Sequence, residues 1–188
     1  MASRDPHAFL EWETQQPEAY ELFGGKVRLK VGGTLGHNTV ADNLHVALAT
    51  RLDRATFRAW RASTRVRAPN GDITYPDVVV SRHRRRPDQS FIDDPTLIVE
   101  VLSAAIANLE LTEKRWVYFA IPSLQQLVYV SPDAAKLELV TREPDGSWRS
   151  VFVTGLDAEL PLTALDLTLP LAEIYDGIDV VAVPPAAG

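Results

Sequence analysis

A single carboxylate interrupts the most apolar segment of this 188-residue chain. Glu100 lies within the run Leu97–Leu102, whose other members are all aliphatic. Such a continuous run is typical of a central strand that is covered on both faces of its sheet. An ionised carboxylate is costly there unless it is paired with a cation or bound to a metal ion. Glu100 is therefore a candidate metal ligand, and a structural salt bridge is the alternative.

A second acid, Asp77, directly precedes the apolar run Val78–Val80. The midpoint between Asp77 and Glu100 falls in the turn-like sequence Arg86–Gln89, so an antiparallel hairpin around this loop places the two carboxylates opposite each other. Directly opposed residues have Cβ atoms about 4.5–5.5 Å apart. Two ionised carboxylates at that separation repel each other unless a divalent cation lies between them. Oxygen ligands of this kind favour Mg²⁺ or Mn²⁺ over zinc.

The elements that position these acids follow from the spacing of apolar residues. Val40, Leu44, Leu48 and Leu52 recur every four residues, which is the spacing of one helix face. The predicted helices cover residues 5–16, 35–52, 104–120 (with Trp116 on its buried side) and part of 161–176. The predicted strands cover residues 20–23, 26–31, 57–68, 75–81, 97–102, 124–130, 136–142 and 148–153. This order predicts an α/β (α+β) fold, a mixed central β-sheet flanked by helices.

Length and composition indicate one domain with an ordinary core. The chain is 46% hydrophobic and 23% charged, which is enough to bury a core and excludes a disordered chain. It has no cysteine, which excludes a disulfide scaffold, a thiolate zinc site and a cysteine nucleophile. No apolar run reaches the roughly 18 residues of a membrane span, and the first residues lack a signal peptide's apolar stretch. We expect a single cytoplasmic domain over 1–188, frayed at 180–188.

The charge distribution suggests a nucleic-acid partner more than the net charge of −6 does. The segment from Arg51 to Arg86 holds ten arginines and three acids, whereas five basic and thirteen acidic residues follow from Pro95 onward. The basic segment is a candidate phosphate-binding surface, and a solvated arginine-rich face is the alternative. Contacts of this kind would dock a DNA backbone without reading its sequence. The candidate backbone contacts are Arg61, Arg65, Arg67, Arg84 and Arg85.

Several separated blocks resemble the bacterial Uma-two (Uma2) family, which is restriction-endonuclease-like and belongs to the PD-(D/E)XK nuclease superfamily. The blocks that carry the resemblance are Tyr75–Val80, Ile98–Ser103 and the pair Glu113–Lys114. An N-terminal block that contains Glu21 and a helix that begins near His37 also match the family. The resemblance covers about residues 15–145.

The resemblance implies a fold and a chemistry. It implies a mixed sheet flanked by helices, with two acids that hold a divalent metal and a lysine that steadies the attacking water or the phosphate. In most of the superfamily the lysine lies two residues after the second acid, where this chain has Leu102. The resemblance is to variants with the lysine on the following helix, so Lys114, fourteen residues after Glu100, takes the role. The alternative for Lys114 is a surface pair with Glu110.

The resemblance also supplies accessory candidates and one departure. Glu21 would extend the acidic site, and His37 and Ser103 would assist it. The family's Pro-Ser-Thr is replaced here by Ala104–Ile106, which removes two hydroxyl groups. Two hypotheses follow: a metal-dependent DNA endonuclease acting as a homodimer, or a catalytically impaired nuclease-fold protein that binds nucleic acid or protein.

Overall fold

A computed structural model of the chain describes residues 5–30, 32–61, 63–82, 85–103 and 108–181. None of the helices in these ranges is long and apolar enough to cross a membrane. The helices are α1 (Pro6–Glu13), α2 (Leu35–Arg51), α3 (Asn108–Phe119) and α4 (Leu171–Ile174). The strands are β1 (Tyr20–Phe23), β2 (Lys26–Leu29), β3 (Phe57–Arg61), β4 (Val66–Arg67), β5 (Ile73–Thr74), β6 (Val78–Arg82), β7 (Pro95–Val101), β8 (Gln126–Val130), β9 (Lys136–Arg142), β10 (Trp148–Thr154), β11 (Glu159–Leu162) and β12 (Leu167–Pro170).

A six-stranded mixed sheet forms the centre of the molecule. Its strand order is β10-β9-β8-β7-β6-β3, in which β7 and β8 are parallel and the other neighbours are antiparallel. The parallel pair requires a crossover connection, and α3 lies within it. A smaller sheet has the order β2-β1-β5-β4, and β11 pairs with β12. The predicted mixed sheet flanked by helices is confirmed.

The hairpin of β6 and β7 has the predicted register. Val78 pairs with Val99 and Val79 with Ile98. One further step along this register places Asp77, which directly precedes β6, opposite Glu100 on β7. The prediction of an antiparallel pair around the intervening loop is therefore confirmed.

The alternation of side chains along β7 divides the core into two clusters. Leu97, Val99 and Val101 belong to the cluster that includes the buried face of α2, whereas Ile98 belongs to the cluster that includes Tyr118 of α3. Since residues two apart on a strand share a face, Glu100 lies on the same face as Ile98. The acid therefore points toward α3.

Helix α2 confirms the period-four prediction for residues 35–52. Thr34 caps its N-terminus, where the Thr34 side chain accepts a 3.2 Å hydrogen bond from the backbone N–H of His37. Val40, Leu44 and Leu48 are fully buried. The helix therefore begins beside the carboxyl end of β7 and brings His37 toward Asp77.

Three expectations were wrong. The predicted strand over 57–68 is two strands, β3 in the large sheet and β4 in the small one. Trp116 is 67% exposed and lies on the outer side of α3. Part of the expected frayed tail is attached, because the N–H of Val181 donates to the carbonyl of Asp133; residues 182–188 lie outside the described residues, as do Ala104–Ile106.

Candidate active site

A cavity of about 280 Å³ opens where β7 ends, between the β1–β2 hairpin, the start of α2 and helix α3. Its lining brings together all three residues predicted to be catalytic, Asp77, Glu100 and Lys114. The three accessory candidates line the same cavity: Glu21, His37 and Ser103. Residues from five separate parts of the chain thus converge on one space.

Asp77 is held from three sides. Its Oδ2 accepts a 2.8 Å hydrogen bond from the backbone N–H of Val101 and lies 3.3 Å from Nε2 of His37. Its Oδ1 lies 3.6 Å from Nζ of Lys30. Burial raises the pKa of Asp77, but the hydrogen bond from His37 and the charge of Lys30 outweigh burial and bring the pKa below its usual value. Asp77 is therefore ionised at neutral pH.

Glu100 is 4% exposed and is contacted by two donors from α3. Nζ of Lys114 lies 2.9 Å from Oε1 of Glu100, and the hydroxyl of Tyr118 donates to the same oxygen. Burial raises the pKa of Glu100, and the nearby charges of Asp77 and Glu21 add to this effect, while Lys114 opposes it. An additional cation beside Glu100 would therefore favour its ionised form.

Lys114 bridges two buried carboxylates. Its Nζ lies 2.9 Å from Oε1 of Glu21 as well as 2.9 Å from Oε1 of Glu100. Burial lowers the pKa of Lys114, but the two carboxylates raise it above its usual value. The surface pair with Glu110 is not formed, since Glu110 pairs with Arg28 instead. Lys114 is therefore a fixed cation inside the cavity.

Glu21 contacts the lysine and the backbone. Its Oε1 accepts a 2.6 Å hydrogen bond from the N–H of Tyr75 in addition to the contact with Lys114. The side chain of Glu21 is almost fully buried. Its position on β1, in the small sheet, ties that sheet to α3 at the cavity.

His37 is packed closely against the glycine pair that precedes α2. A Cβ atom at Gly33 would collide with the imidazole of His37, whereas a Cβ atom at Gly32 would meet nothing within 4 Å. The hydrogen bond to Asp77 raises the pKa of His37 above its usual value, against the effect of burial. Gly33 thus gives the imidazole the space it needs to reach Asp77.

Two residues that contact the acids were missed by sequence reasoning, Lys30 in the cavity lining and Tyr118 behind it. Lys30 follows β2 and donates to the carbonyl of Tyr75 as well as approaching Asp77. Tyr118 lies four residues after Lys114, one helical turn away on the same face. This spacing was the sequence signal that could have identified Tyr118. The only signal for Lys30 was its charge near the end of a predicted strand.

The predicted basic surface does not form as a single face. Arg65 lies 2.5 Å from Glu13, Arg67 lies 3.5 Å from Asp93, and Arg85 lies 2.6 Å from Asp94, so each of these cations has an acidic partner. The split of residues 57–68 between two sheets places Arg61 on β3 of the large sheet and Arg67 on β4 of the small one. Arg84 lies outside the described residues.

Arg61 is the exception among the predicted backbone contacts. It pairs with Asp42 at an exposed position, and its side chain is 61% accessible. It also lines a second cavity, of about 310 Å³, together with His37 and Asp77. Arg61 therefore lies beside Asp77 and His37 at the edge of the candidate site.

The acids suit a hard divalent cation. Within the described ranges, no three His, Asp or Glu side chains surround a common metal position. Mg²⁺ commonly binds through only one or two carboxylates, with waters and substrate phosphates as its other ligands. Asp77 and Glu100 supply two such carboxylates at opposed strand positions beside a cavity, so this donor set fits Mg²⁺ or Mn²⁺.

A solved structure supports the fold. The chain resembles the crystal structure of a "putative nuclease belonging to DUF820" from Anabaena variabilis ATCC 29413, with a TM-score of 0.73. The match covers 91% of this chain and 97% of that chain at 18% sequence identity. At this identity the similarity shows that the two chains share a fold.

Sequence comparisons extend over most of the chain. Uncharacterized protein slr1290 of Synechocystis sp. (strain ATCC 27184 / PCC 6803 / Kazusa) is 29% identical over 175 residues, which cover 92% of each chain. Uncharacterized protein sll1609 of the same organism is 24% identical and covers 85% of this chain and 92% of its own length. Residues 6–172 match the model of the Uma2 family, described as "Putative restriction endonuclease". The chain therefore belongs to the Uma2 family.

Proposed function

We propose that this protein is a divalent-metal-dependent endonuclease that hydrolyses phosphodiester bonds in DNA. The observation that carries the proposal is the meeting of Asp77, Glu100 and Lys114 in one cavity, from three different elements. Family membership and the nuclease-like fold support the same reaction class. Asp77 and Glu100 would hold Mg²⁺ or Mn²⁺, which when bound supplies positive charge at the phosphate and makes water a better nucleophile at neutral pH.

The two acids act by holding charge in fixed positions. Asp77 is kept ionised by His37 and Lys30 and is oriented by the N–H of Val101. Glu100 is oriented by donors from α3. Because both carboxylates are already in place, little reorganisation is needed when a cation and a phosphate enter.

Lys114 contributes a positive charge to the cavity. Two carboxylates raise its pKa above the usual value, which favours the protonated form at neutral pH, so we assign it the role of a fixed cation. A fixed ammonium group beside the acids stabilises the negative charge that develops on the phosphate oxygens in the transition state. Substitution of Lys114 should therefore lower kcat more than it changes metal binding.

Outside the cavity, Arg61 is the predicted contact with the DNA backbone. All four described candidate arginines pair with an acid, but Arg61 is the most exposed of them, at 61%, and it lies beside Asp77 and His37. The homodimer expected from the sequence stays a prediction. It is tested by light scattering at high micromolar concentration, where a monomer contradicts it.

The function is tested by nicking of supercoiled plasmid DNA in Mg²⁺ or Mn²⁺. The wild type should cleave, and Glu100→Gln should not, because glutamine keeps the shape of the side chain and removes the charge that holds the cation. The matched control is Glu173→Gln, which removes a carboxylate of α4 that pairs with Arg51 of α2. It should cleave like the wild type.

The outcomes separate the two hypotheses. Equal cleavage by wild type and Glu100→Gln would place the activity elsewhere and contradict the assignment. DNA binding by the wild type, without cleavage and without measurable Mn²⁺ binding, would support the catalytically impaired binding module instead.

A further inference from the structure

We propose that Tyr118 is a positioning residue that holds the Glu100 carboxylate in the orientation needed to bind the metal ion. The inference deepens the proposed function and rests on it, because it assumes that Glu100 is a metal ligand. Tyr118 lies one layer behind the cavity, where it contacts the Glu100 carboxylate without lining the space for substrate.

The first observation is the contact itself. Tyr118 is fully buried, and its hydroxyl donates to Oε1 of Glu100. Lys114 reaches the same oxygen from one helical turn earlier on α3. One oxygen of the carboxylate is therefore held by two donors on a single helix, which restricts the rotation of the carboxylate group.

The second observation is that Tyr118 reaches Glu100 from the side opposite the cavity. Glu100 lies on β7, at the centre of the large sheet, and Tyr118 lies on the helix that covers this face. A buried carboxylate without donors would be costly and free to turn away from the cavity. Tyr118 supplies a donor from the protein side, while the cavity side stays open to a cation. Groups that hydrogen-bond metal ligands in this way typically change metal affinity when they are removed.

A neighbouring tyrosine provides the matched control. Tyr129 on β8 is the register partner of Glu100 and is also buried. Within the described part of the chain, its hydroxyl has no hydrogen-bond partner. Tyr118→Phe and Tyr129→Phe thus remove the same group at the same depth, beside the same acid, and differ in the hydrogen bond to Glu100.

The test measures the Kd of Mn²⁺ by isothermal titration calorimetry on the wild type and both variants, without DNA. Tyr118→Phe should raise the Kd about tenfold, and Tyr129→Phe should leave it within about twofold of the wild type. Thermal unfolding of the metal-free proteins accompanies the titration, because a role in stability alone would lower the Tm and leave the Kd unchanged.

The outcomes distinguish this inference from the proposed function. Mn²⁺ binding by Tyr118→Phe that equals or exceeds that of the wild type overturns the role of Tyr118 and leaves the proposed function standing. Equal weakening by both tyrosine variants also overturns it, since the hydrogen bond would then be irrelevant. Absence of Mn²⁺ binding by the wild type overturns both.

A second measurement needs no tyrosine variant and covers the case in which Tyr118→Phe fails to fold. The hydroxyl proton of Tyr118 is followed by NMR in wild-type protein labelled on tyrosine, as Mg²⁺ is added. Since this proton is bonded to Glu100, its resonance should move along the Mg²⁺ binding curve. A resonance that stays fixed while Mg²⁺ saturates the protein overturns the inference.

Discussion

Nζ of Lys114 lies 2.9 Å from Oε1 of Glu100, although the lysine belongs to α3 and the acid to β7. The resemblance led us to expect a lysine two residues after Glu100, but this position holds Leu102, which packs against the core cluster that includes Ile98 and Tyr118. Helix α3 thus provides, from outside the strand, the cation that the strand lacks. The same ammonium group also pairs with Glu21, so one lysine serves two buried acids.

Lys114→Met should lower the free energy of unfolding by about 3 kcal/mol, because Glu21 and Glu100 lose the cation that they share in a buried site. Urea denaturation measures the change. The control is Arg149→Met, which breaks the exposed pair with Glu143 and should cost about 1 kcal/mol or less. An equal loss in both variants would mean that the buried position of Lys114 has no special energetic importance.

Lys30→Met should strengthen Mn²⁺ binding. The Lys30 ammonium lies 3.6 Å from Oδ1 of Asp77 and competes with a metal ion for the charge of that carboxylate. Its removal should lower the Kd about threefold to tenfold, as measured by calorimetry. Lys26→Met is the control, because Lys26 is exposed and lies 3.9 Å from Glu113. Weaker binding in Lys30→Met would show that Lys30 supports the metal site instead.

Arg61 and Arg65 should respond differently to substitution by leucine. Arg65→Leu leaves the nearly buried Glu13 without its cationic partner, although Tyr75 still donates to it, and should cost about 2 kcal/mol of stability in urea. Because Arg61 is exposed, Arg61→Leu should change the free energy of unfolding by less than about 0.5 kcal/mol. It should instead weaken DNA binding and flatten its salt dependence, as measured by fluorescence anisotropy without divalent metal. The reverse pattern would restore Arg65 as a DNA contact.

The register of Asp77 and Glu100 was predictable because it depends on local features alone. Two short apolar runs flank one loop, and counting outward from the loop pairs Asp77 with Glu100. A β-bulge between Val80 and Ser81 shifts the pairs nearer the loop, and the pairs next to the acids keep the predicted register. Helix α2 was equally accessible, since its buried face is apolar throughout at a spacing of four.

The error at residues 57–68 has a tertiary cause. Alternation of apolar and polar residues reports which side chains are buried, and it carries no information about which sheet each half joins. Trp60 on β3 lies in the large sheet, whereas Val66 on β4 pairs with β5 in the small one. The common basic face inferred from the alternation is lost with that split.

Trp116 was misplaced because the inner side of α3 is partly polar. Lys114 and Tyr118 face the buried acids, so the helix is turned with these residues inward and Trp116 outward. An argument based on apolar spacing assigns the largest apolar side chain to the core. A buried ion pair between elements distant in sequence reverses that assignment, and one sequence does not reveal it.

Gly33→Ala should disturb the site through His37. The added methyl group would collide with the imidazole, whose Nε2 lies 3.3 Å from Oδ2 of Asp77. We expect a loss of about 1–2 kcal/mol in stability from overpacking and a change in the side-chain ¹⁵N shifts of His37 by NMR. Plasmid nicking should fall with this displacement, because Asp77 loses one of the groups that keep it ionised and oriented.

The control for this prediction is the adjacent Gly32→Ala. A Cβ atom there would contact nothing within 4 Å, so the variant should keep the His37 shifts and the nicking rate of the wild type. It should gain about 0.5 kcal/mol, because alanine reduces the freedom of the unfolded chain. If Gly33→Ala matched Gly32→Ala in stability, His37 shifts and nicking, the close packing of Gly33 against His37 would have no part in holding Asp77.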